Sequence, residues 1–417
     1  MVLKKNLAKT IVKVRKRRIS LSIFSEFPRF IKGKAGRLSP MKIPFTDYHI
    51  LAFLKSFSES RLPLDLSLNH YFRTHKSLGA NDRRTIGDTV YGMIRWQSLL
   101  EIAGTFHQDQ LEFYRDFEKA GFVPPAKASP WAALGTSKFL YERLFASLGD
   151  AKGKETLLLL NEEAPMTVRA NLLKTSREHL FEMWKNQYSI ALTQVSKEGI
   201  QFGKREPLFS LPEFKNGLFE VQDEGSQVVA KLVKALPGQT VLDFCSGSGG
   251  KTLAFAPSMQ GKGQIYLHDI RESALVEAKK RLARAGIQNA QCLNPGHSQL
   301  SRIVGKCHWV LVDVPCSGTG TLRRNPDQKW KIDAPMIERL VLQQREIFKE
   351  ALEFLHPKGN LVYATCSILP EENEKQVEYF LATYPIELVE PPLSLLPQSK
   401  GMDGFFGAVF RKKATLV

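Results

Sequence analysis

From residue 221 onward, short apolar segments alternate with longer segments whose apolar residues recur every three or four positions. The short segments 239–245, 264–269, 308–313 and 360–365 predict strands, and the longer segments between them predict helices. This alternation favours a mostly parallel sheet covered on both faces, so we predict an α/β, doubly wound fold. In such folds the ligand binds beyond the carboxyl ends of the strands. The residues that follow each predicted strand are therefore the first candidates for a functional site.

Two helices in this part of the chain have predicted limits. Residues 226–236 have a helical pattern of apolar residues. Asp333 is the predicted N-cap of a longer amphipathic helix, with Pro335 in its first turn. Gly359 is predicted to stop that helix just before the strand at 360–365.

The chain before residue 221 is organised differently. Residues 41–155 follow a helical spacing and are predicted to form an all-α domain. Within it, Asn81-Asp82 predict the start of an amphipathic helix that carries Arg83 and Arg84, which face either phosphate or solvent. Residues 156–220 mix both periodicities, with strands predicted at 166–169 and 200–202 and a helix at 176–184. We predict that they form a small α+β module.

The positive charge of the chain is concentrated at its start. Residues 1–40 carry twelve Lys/Arg and one acidic residue, which leaves +6 of the net +17 for residues 41–417. Net positive charge favours an acidic partner such as nucleic acid. Three interpretations of the tail stay open: a nucleic-acid-binding arm, a disordered solvated segment, or a start placed too early, with Met41 as the true first residue.

Composition excludes several classes of protein. The hydrophobic fraction of 43% is too high for a wholly disordered chain. No apolar run approaches the ~18 residues that span a bilayer, so we expect no membrane insertion. The five cysteines form no CxxC pair and lack zinc-like spacing, so neither a disulfide scaffold nor a metal site is expected. We therefore expect a cytoplasmic protein without metal. We also take the protein to be a monomer, although the sequence carries no signal for its oligomeric state.

A glycine-rich turn follows the first predicted strand of the α/β part. It reads Cys245-Ser246-Gly247-Ser248-Gly249-Gly250-Lys251 and opens the next predicted helix. Glycine lets backbone N–H groups approach a ligand closely. Asp269 ends the following strand, where a carboxylate can accept hydrogen bonds from ribose hydroxyls. Together these features predict a site for an adenosyl cofactor, either a dinucleotide or S-adenosylmethionine; the alternative role for Asp269 is as a helix N-cap.

Two further strand ends carry cysteines. Asp313 is followed by Cys316, and Cys366 directly follows the strand at 360–365. A buried structural cysteine is the ordinary alternative, but both thiols are expected near the proposed cofactor. Adding a thiolate to C6 of a pyrimidine makes C5 nucleophilic enough to take a methyl group. An acid near N3 and the exocyclic amine stabilises that adduct, and the second thiol would assist release.

These residues resemble the RNA cytosine-C5 methyltransferases, specifically the RsmB-like, Sun/Fmu branch of the Nol/Nop/Sun family, which acts on bacterial small-subunit rRNA. The matching stretches follow one another in sequence order and span residues 221–413: they lie at 221–227, 241–251, 313–330, 363–373 and 403–406. A weaker match at 81–84 and 91–95 resembles the helical, NusB-like RNA-binding domain of that branch. The resemblance implies a Rossmann-like methyltransferase domain at 221–417 and a small RNA-binding module at 156–220.

The resemblance also implies roles for individual residues. Cys366 would be the nucleophile, and Cys316 would promote product release. Asp313 would contact the target cytosine and shape the cofactor pocket. Residues 245–251 and Asp269 would hold S-adenosylmethionine.

Other implied contacts lie on loops. Asn294 stands in the region where the family usually has an acidic residue near the adenine, and its amide would replace that contact. Arg323, Arg324 and Lys329 follow Cys316 and would meet RNA phosphates, unless they are simply solvated charges.

The sequence thus predicts an S-adenosylmethionine-dependent RNA cytosine-C5 methyltransferase, with 16S rRNA as substrate. One alternative is the same reaction on tRNA. Another is a ribosome-assembly factor that binds RNA without turnover. The presence of both Cys316 and Cys366 argues against the latter, because binding alone requires no thiols.

Overall fold

The computed structural model describes residues 43–60 and 62–413. The basic segment at 1–40 and Met41 lie outside the described residues, so the three interpretations of the tail stay predictions.

The first part of the described chain is helical, as predicted. Ile50 and Phe53 on the first helix pack with Ile86 and Val90 on the third, and all four side chains are almost fully buried. The helices are α1 (Phe45–Ser58), α2 (Leu64–Thr74), α3 (Ala80–Arg95), α4 (Gln97–Leu100), α5 (His107–Lys119), α6 (Pro130–Ala133), α7 (Lys138–Leu148) and α8 (Asp150–Leu159).

Helix α3 starts slightly earlier than the sequence predicted. It begins at Ala80, so Asp82 lies in its first turn instead of preceding it. The Asp82 carboxylate accepts a hydrogen bond from the Gly79 backbone N–H at 2.9 Å. A carboxylate in the first turn is favourable next to the positive end of the helix dipole.

A four-stranded antiparallel unit follows. Its core centres on Trp184, whose ring packs against Phe202 and Phe219. The strand order is β2-β3-β1-β4, and the predicted strands and helix are present. The elements are β1 (Met166–Ala170), α9 (Arg177–Trp184), β2 (Ile190–Leu192), β3 (Gly199–Phe202), α10 (Pro212–Lys215) and β4 (Phe219–Val221).

The remaining residues build an eight-stranded sheet with helices on both faces. Its order is β10-β12-β9-β8-β5-β6-β7, with β11 paired to β12. Strands β5 to β9 are parallel and β12 pairs antiparallel with β9. The elements are α11 (Glu224–Ala230), β5 (Thr240–Asp243), α12 (Gly250–Phe255), β6 (Gln264–His268), α13 (Glu272–Ala285), β7 (Ala290–Leu293), α14 (Ser298–Arg302), β8 (Cys307–Asp313), α15 (Ala334–Phe354), β9 (Leu355–Thr365), α16 (Glu374–Thr383), β10 (Ile386–Leu388), β11 (Leu393–Leu395) and β12 (Phe405–Lys412).

The mostly parallel, doubly wound sheet is therefore confirmed, with an antiparallel edge added. Two separate apolar clusters cover its two faces, one including Val241 and Leu267, the other including Val310 and Phe348. Within the described residues, no helix combines the length and the apolar character needed to cross a bilayer.

Two predicted helix limits were wrong. Helix α11 ends at Ala230, and Val233 and Ala235 are buried from the turns that follow it. Helix α15 starts as predicted, with the Asp333 side chain accepting a hydrogen bond from Met336 N at 2.9 Å. It ends at Phe354, however, and Gly359 lies inside β9. A Cβ at Gly359 would stand 2.8 Å from the Cys307 carbonyl oxygen of β8, so this glycine permits close strand approach instead of stopping a helix.

Candidate active site

The parallel strands bring the predicted motifs to one edge of the sheet. Strands β9, β8, β5 and β6 lie side by side in that order. At their carboxyl ends lie, in the same order, Cys366, Asp313, the turn 245–251 and Asp269. Backbone hydrogen bonds continue beyond the strands: Ser246 N donates to the His268 carbonyl oxygen at 2.9 Å. Because these segments remain paired past the last strand residue, the turns stay close together.

The two thiols are in direct contact. Cys316 Sγ and Cys366 Sγ are 3.3 Å apart, and both cysteines are free and partly exposed. A hydrogen bond from the Cys316 thiol lowers the pKa of Cys366 below its ordinary value, despite burial, and Lys251 acts in the same direction. The same hydrogen bond, with burial and the neighbouring charge, raises the pKa of Cys316 well above its ordinary value. Cys366 is therefore the thiol of the pair that ionises first, while Cys316 stays protonated.

Asp313 lies beside the thiols in an ion pair with Lys251. Its Oδ2 is 2.5 Å from Lys251 Nζ, and the two side chains are 32% and 9% exposed. Burial alone would lower the pKa of Lys251, but attraction to Asp313 outweighs it and raises that pKa. Lys251 consequently stays charged and fixes the Asp313 carboxylate at the end of β8.

The glycine-rich turn is built on left-handed residues. Gly247 and Gly249 have φ angles of 53° and 78°, a region that other residues adopt only at a cost. Gly247 N–H donates to Asp269 Oδ2 at 2.8 Å, and Arg271 donates to Asp269 Oδ1 from its backbone N at 2.9 Å. Burial opposes ionisation of Asp269, but these hydrogen bonds and the Arg271 charge hold its pKa below the ordinary value. Arg271, not Asp269, occupies the N-cap position of α13, so the alternative role for Asp269 as that helix's N-cap was wrong.

Asp243, at the end of β5, was not singled out from the sequence. Its side chain is 1% exposed, and Oδ2 accepts a hydrogen bond from Thr252 Oγ1 at 2.6 Å. Burial is the main reason that its pKa is raised to about 7. Oδ1 is buried without a hydrogen-bond partner among the described residues. Such an acceptor beside the turn is suited to a ligand donor group.

Glu372 is a second residue that sequence reasoning missed as a functional residue. Its side chain is fully buried, and it accepts hydrogen bonds from Ser317 N at 2.9 Å and Ser317 Oγ at 2.5 Å. Ser317 Oγ also lies 3.3 Å from Ser367 Oγ. Because Ser317 directly follows Cys316, Glu372 fixes the Cys316 turn, and the Ser317–Ser367 contact places that turn beside the one that carries Cys366. The signal was present in the Glu371-Glu372-Asn373 run that follows Cys366.

Two of the predicted RNA contacts were wrong. Arg323 is fully buried, paired with Asp403 and donating to the Gln398 carbonyl oxygen at 3.0 Å. Lys329 is 1% exposed and donates to Asn161 Oδ1 at 2.5 Å and to the Gly135 carbonyl oxygen at 2.8 Å. Buried groups with these partners join parts of the fold and do not face phosphate.

The other predicted surface contacts stay predictions. Arg324 pairs with Asp403 and Asp223, with its side chain 33% exposed. Arg83 and Arg84 are exposed on α3, and Asn294 is exposed just after β7. In the described part of the chain, no group of three or more His, Cys, Asp or Glu is placed to hold a metal ion.

Known proteins are similar to this chain in both sequence and fold. Residues 230–411 match the family model described as 16S rRNA methyltransferase RsmB/F. The chain is 30% identical over 359 residues to a probable ribosomal RNA small subunit methyltransferase B of Synechocystis, a match that covers 80% of this chain and 76% of that one. It is 34% identical over 262 residues to the ribosomal RNA small subunit methyltransferase B of Vibrio vulnificus, where the match spans 61% of each chain.

A solved structure extends the comparison. The crystal structure of a methyltransferase homolog protein from Pyrococcus horikoshii superposes with a TM-score of 0.60 and 28% identity, covering 67% of this chain and 96% of that one. The sheet order, the turn at 245–251 and the paired thiols thus occur in a chain whose sequence matches one relative over most of both lengths. On this basis the chain belongs to the RsmB/F family of 16S rRNA methyltransferases.

Proposed function

We propose that this protein methylates C5 of a cytosine in small-subunit rRNA, with S-adenosylmethionine as cofactor. The observation that carries the proposal is the pair of thiols 3.3 Å apart, in which the pKa of Cys366 is lowered and that of Cys316 is raised. Methylation at a ring carbon of a pyrimidine needs a nucleophile that activates the ring and a group that assists release. A protein that only binds RNA needs neither.

The residues at the sheet edge fit the cofactor. The left-handed glycines open the turn towards a ligand, the Asp269 carboxylate is ionised at neutral pH, and Asp243 Oδ1 offers a buried acceptor without a partner. Residues 245–251, Asp269 and Asp313 would hold the cofactor, and Asn294 would reach its adenine. When bound, S-adenosylmethionine supplies an electrophilic methyl group.

Cys366 begins the reaction by adding to the target base. Its sulfur forms a bond to C6, and the electron pair of the C5–C6 double bond moves towards C5. Asp313, held by Lys251, lies beside the thiols and would accept a hydrogen bond from the exocyclic amine of the base. This covalent adduct between enzyme and RNA is a proposal of ours that rests on the thiol geometry.

Cys316 ends the reaction. In the adduct Cys366 is a neutral thioether, so the hydrogen bond and the negative charge that raised the pKa of Cys316 are both gone. This relieves part of the rise in the pKa of Cys316, so the thiol can release its proton to solvent. The resulting thiolate can then accept the C5 proton once C5 carries the methyl group. Loss of that proton restores the double bond, and the C6–S bond breaks with its electrons returning to Cys366.

The parts before residue 221 would recognise the RNA. We propose that the helical part, 41–155, is a NusB-like RNA-binding domain and that 156–220 is a second RNA-binding module. The exposed Arg83 and Arg84 on α3 are the candidates for phosphate contacts. A cytoplasmic location and a monomeric state complete the proposal.

Bisulfite sequencing of total RNA from cells with and without this protein tests the substrate. We expect one cytosine of small-subunit rRNA to lose its protection when the protein is absent. Loss of protection in tRNA alone would favour the tRNA alternative. No change in any RNA, together with no methyl transfer in vitro to rRNA or to partial ribosomal particles, would favour a binding-only factor.

A further inference from the structure

Arg281, on helix α13, holds the glycine-rich turn from outside. Its Nη1 donates to the Ser248 carbonyl oxygen at 3.1 Å and to Ser248 Oγ at 2.7 Å. Ser248 lies between the left-handed glycines Gly247 and Gly249. Because glycines leave a turn flexible, two charge-assisted hydrogen bonds to the residue between them restrict its conformation.

Arg281 is in turn held by Glu220, which lies on β4 of the four-stranded unit. Arg281 Nε and Nη2 lie 3.2 Å and 3.1 Å from Glu220 Oε2. The carboxylate is 5% exposed and also accepts a hydrogen bond from Arg284 at 2.6 Å. Glu220 faces Arg169 across the β1–β4 register, and Arg169 is 1% exposed. A carboxylate this buried and this surrounded by guanidinium groups has little freedom to move.

We infer that Arg281 is a positioning residue for the cofactor turn, and that Glu220 makes the four-stranded unit part of the cofactor site. This inference rests on the proposed function, because it takes residues 245–251 as the cofactor-binding turn. The chain of contacts runs from β4 through the carboxylate and the guanidinium to Ser248. The four-stranded unit thus supports cofactor affinity as well as any contact with RNA.

Arg284 provides a matched comparison on the same helix. It bonds the same carboxylate, and its guanidinium carbon lies 4.0 Å from the centroid of the Phe214 ring. Among the described residues it makes no hydrogen bond to Ser248, unlike Arg281. Replacing Arg284 therefore disturbs the docking of the four-stranded unit without releasing the turn.

Isothermal titration of the full chain with S-adenosylhomocysteine tests the inference. We expect Arg281→Ala to raise the Kd about 10-fold, the effect of losing one strong hydrogen bond. Arg284→Ala should change it by less than ~2-fold. Glu220→Ala should raise the Kd by an intermediate factor. In the double variant with Arg281→Ala, the Kd should be no higher than in Arg281→Ala alone. In steady state, Arg281→Ala should raise KM for the cofactor and leave kcat at saturation unchanged.

Two results would overturn the inference. One is an unchanged Kd in Arg281→Ala. The other is an equal rise in Kd in Arg281→Ala and Arg284→Ala, which would mean that only the docking of the four-stranded unit affects cofactor affinity. If Arg281→Ala does not fold, Arg281→Lys keeps the charge beside Glu220, but its single ammonium cannot bridge Glu220 and Ser248. It should show the same rise in Kd, and wild-type affinity would again contradict the inference. A wild-type protein that fails to bind S-adenosylhomocysteine at all would instead contradict the proposed function.

Discussion

At the scale of single residues, one hydrogen bond shifts the pKa values of the two thiols in opposite directions. The Cys316 thiol donates to Cys366 across 3.3 Å, which lowers the pKa of Cys366 and raises that of Cys316. In the proposed reaction, this lowered pKa favours the thiolate of Cys366 as nucleophile before any base binds. The raised pKa of Cys316 keeps that thiol protonated until the proposed adduct has formed, so electrostatics would set the order of the steps.

Replacing the release residue should trap the adduct. In Cys316→Ala the attack by Cys366 still occurs, but no thiolate accepts the C5 proton. We expect a covalent enzyme–RNA complex that resists denaturing gel electrophoresis, with multiple-turnover methylation reduced at least ~100-fold, the usual range for general base catalysis. Cys366→Ala should form no adduct and still bind S-adenosylhomocysteine. An adduct in Cys366→Ala and none in Cys316→Ala would reverse the two roles.

The hydrogen bond between the thiols also sets a pH dependence. Reactivity of Cys366 towards iodoacetamide should increase as pH rises through its lowered pKa, because only the thiolate reacts. Cys316→Ala removes the donor, so the pKa of Cys366 rises and its alkylation profile moves to higher pH. Cys316→Ser keeps an O–H donor and should lie between the two. Peptide mapping by mass spectrometry follows Cys366 alone, and coincident profiles for wild type and Cys316→Ala would show that the hydrogen bond has no effect.

At the scale of elements, the turn that carries Cys316 is held by a residue outside that turn. Glu372 precedes α16 and accepts both the backbone and the side-chain hydrogen bond of Ser317. Gln344 on α15 donates to the same carboxylate at 3.0 Å. The turn carrying Cys316 therefore depends on the packing of two helices against the sheet.

Neighbouring glutamates allow a matched test of this support. Glu372→Ala removes the acceptor of the buried Ser317 backbone N–H and one acceptor of the buried Ser317 and Gln344 side chains. We therefore expect the unfolding free energy to fall by ~2–4 kcal/mol. Glu371→Ala removes a surface pair with Arg143, whose side chain is 47% exposed, and should cost less than ~1 kcal/mol. Urea denaturation measures both. Equal losses in the two variants would contradict a specific role for Glu372.

Elements with local signals could be predicted from the sequence, and those decided by distant contacts could not. Asp333 and Pro335 define the start of α15 by themselves, and the strand ends carry their own motifs. The prediction for Gly359 was wrong because this glycine lets the Cys307 carbonyl of the neighbouring strand β8 approach. The predicted phosphate contacts of Arg323 and Lys329 were wrong because the partners that bury them lie far away along the chain. These partners include Asp403 and Asn161. Asp243 lay in a recognised strand, but only the fold shows its burial.

At the scale of the whole molecule, the helical part is docked onto the loop that follows Cys316. Trp330 Nε1 donates to the Ile94 carbonyl oxygen at 2.7 Å, and Arg95 Nη2 donates to the Arg323 carbonyl oxygen at 3.1 Å. Ile94 and Arg95 end α3, and Arg83 and Arg84 lie exposed near its start. One helix thus joins the proposed phosphate contacts to the catalytic loop, so RNA docking and catalysis share a rigid element.

Lys329 lies at the centre of this junction and makes its stability depend on pH. Burial lowers the pKa of Lys329 to about 7, whereas the unfolded chain keeps the ordinary lysine value of 10.5. Between these values the unfolded state binds more protons, so the contribution of Lys329 to stability increases as pH rises from about 7 to 10. In Lys329→Met this contribution is absent. The unfolding free energy of wild type minus that of Lys329→Met, from urea denaturation at pH 7, 8 and 9, should therefore increase with pH. Taking the difference removes the titration of other groups.

A difference in unfolding free energy that stays constant over this range would mean that Lys329 keeps an ordinary pKa in the folded protein. Its three acceptors, two backbone carbonyl oxygens and one amide oxygen, would then hold it as a charged group.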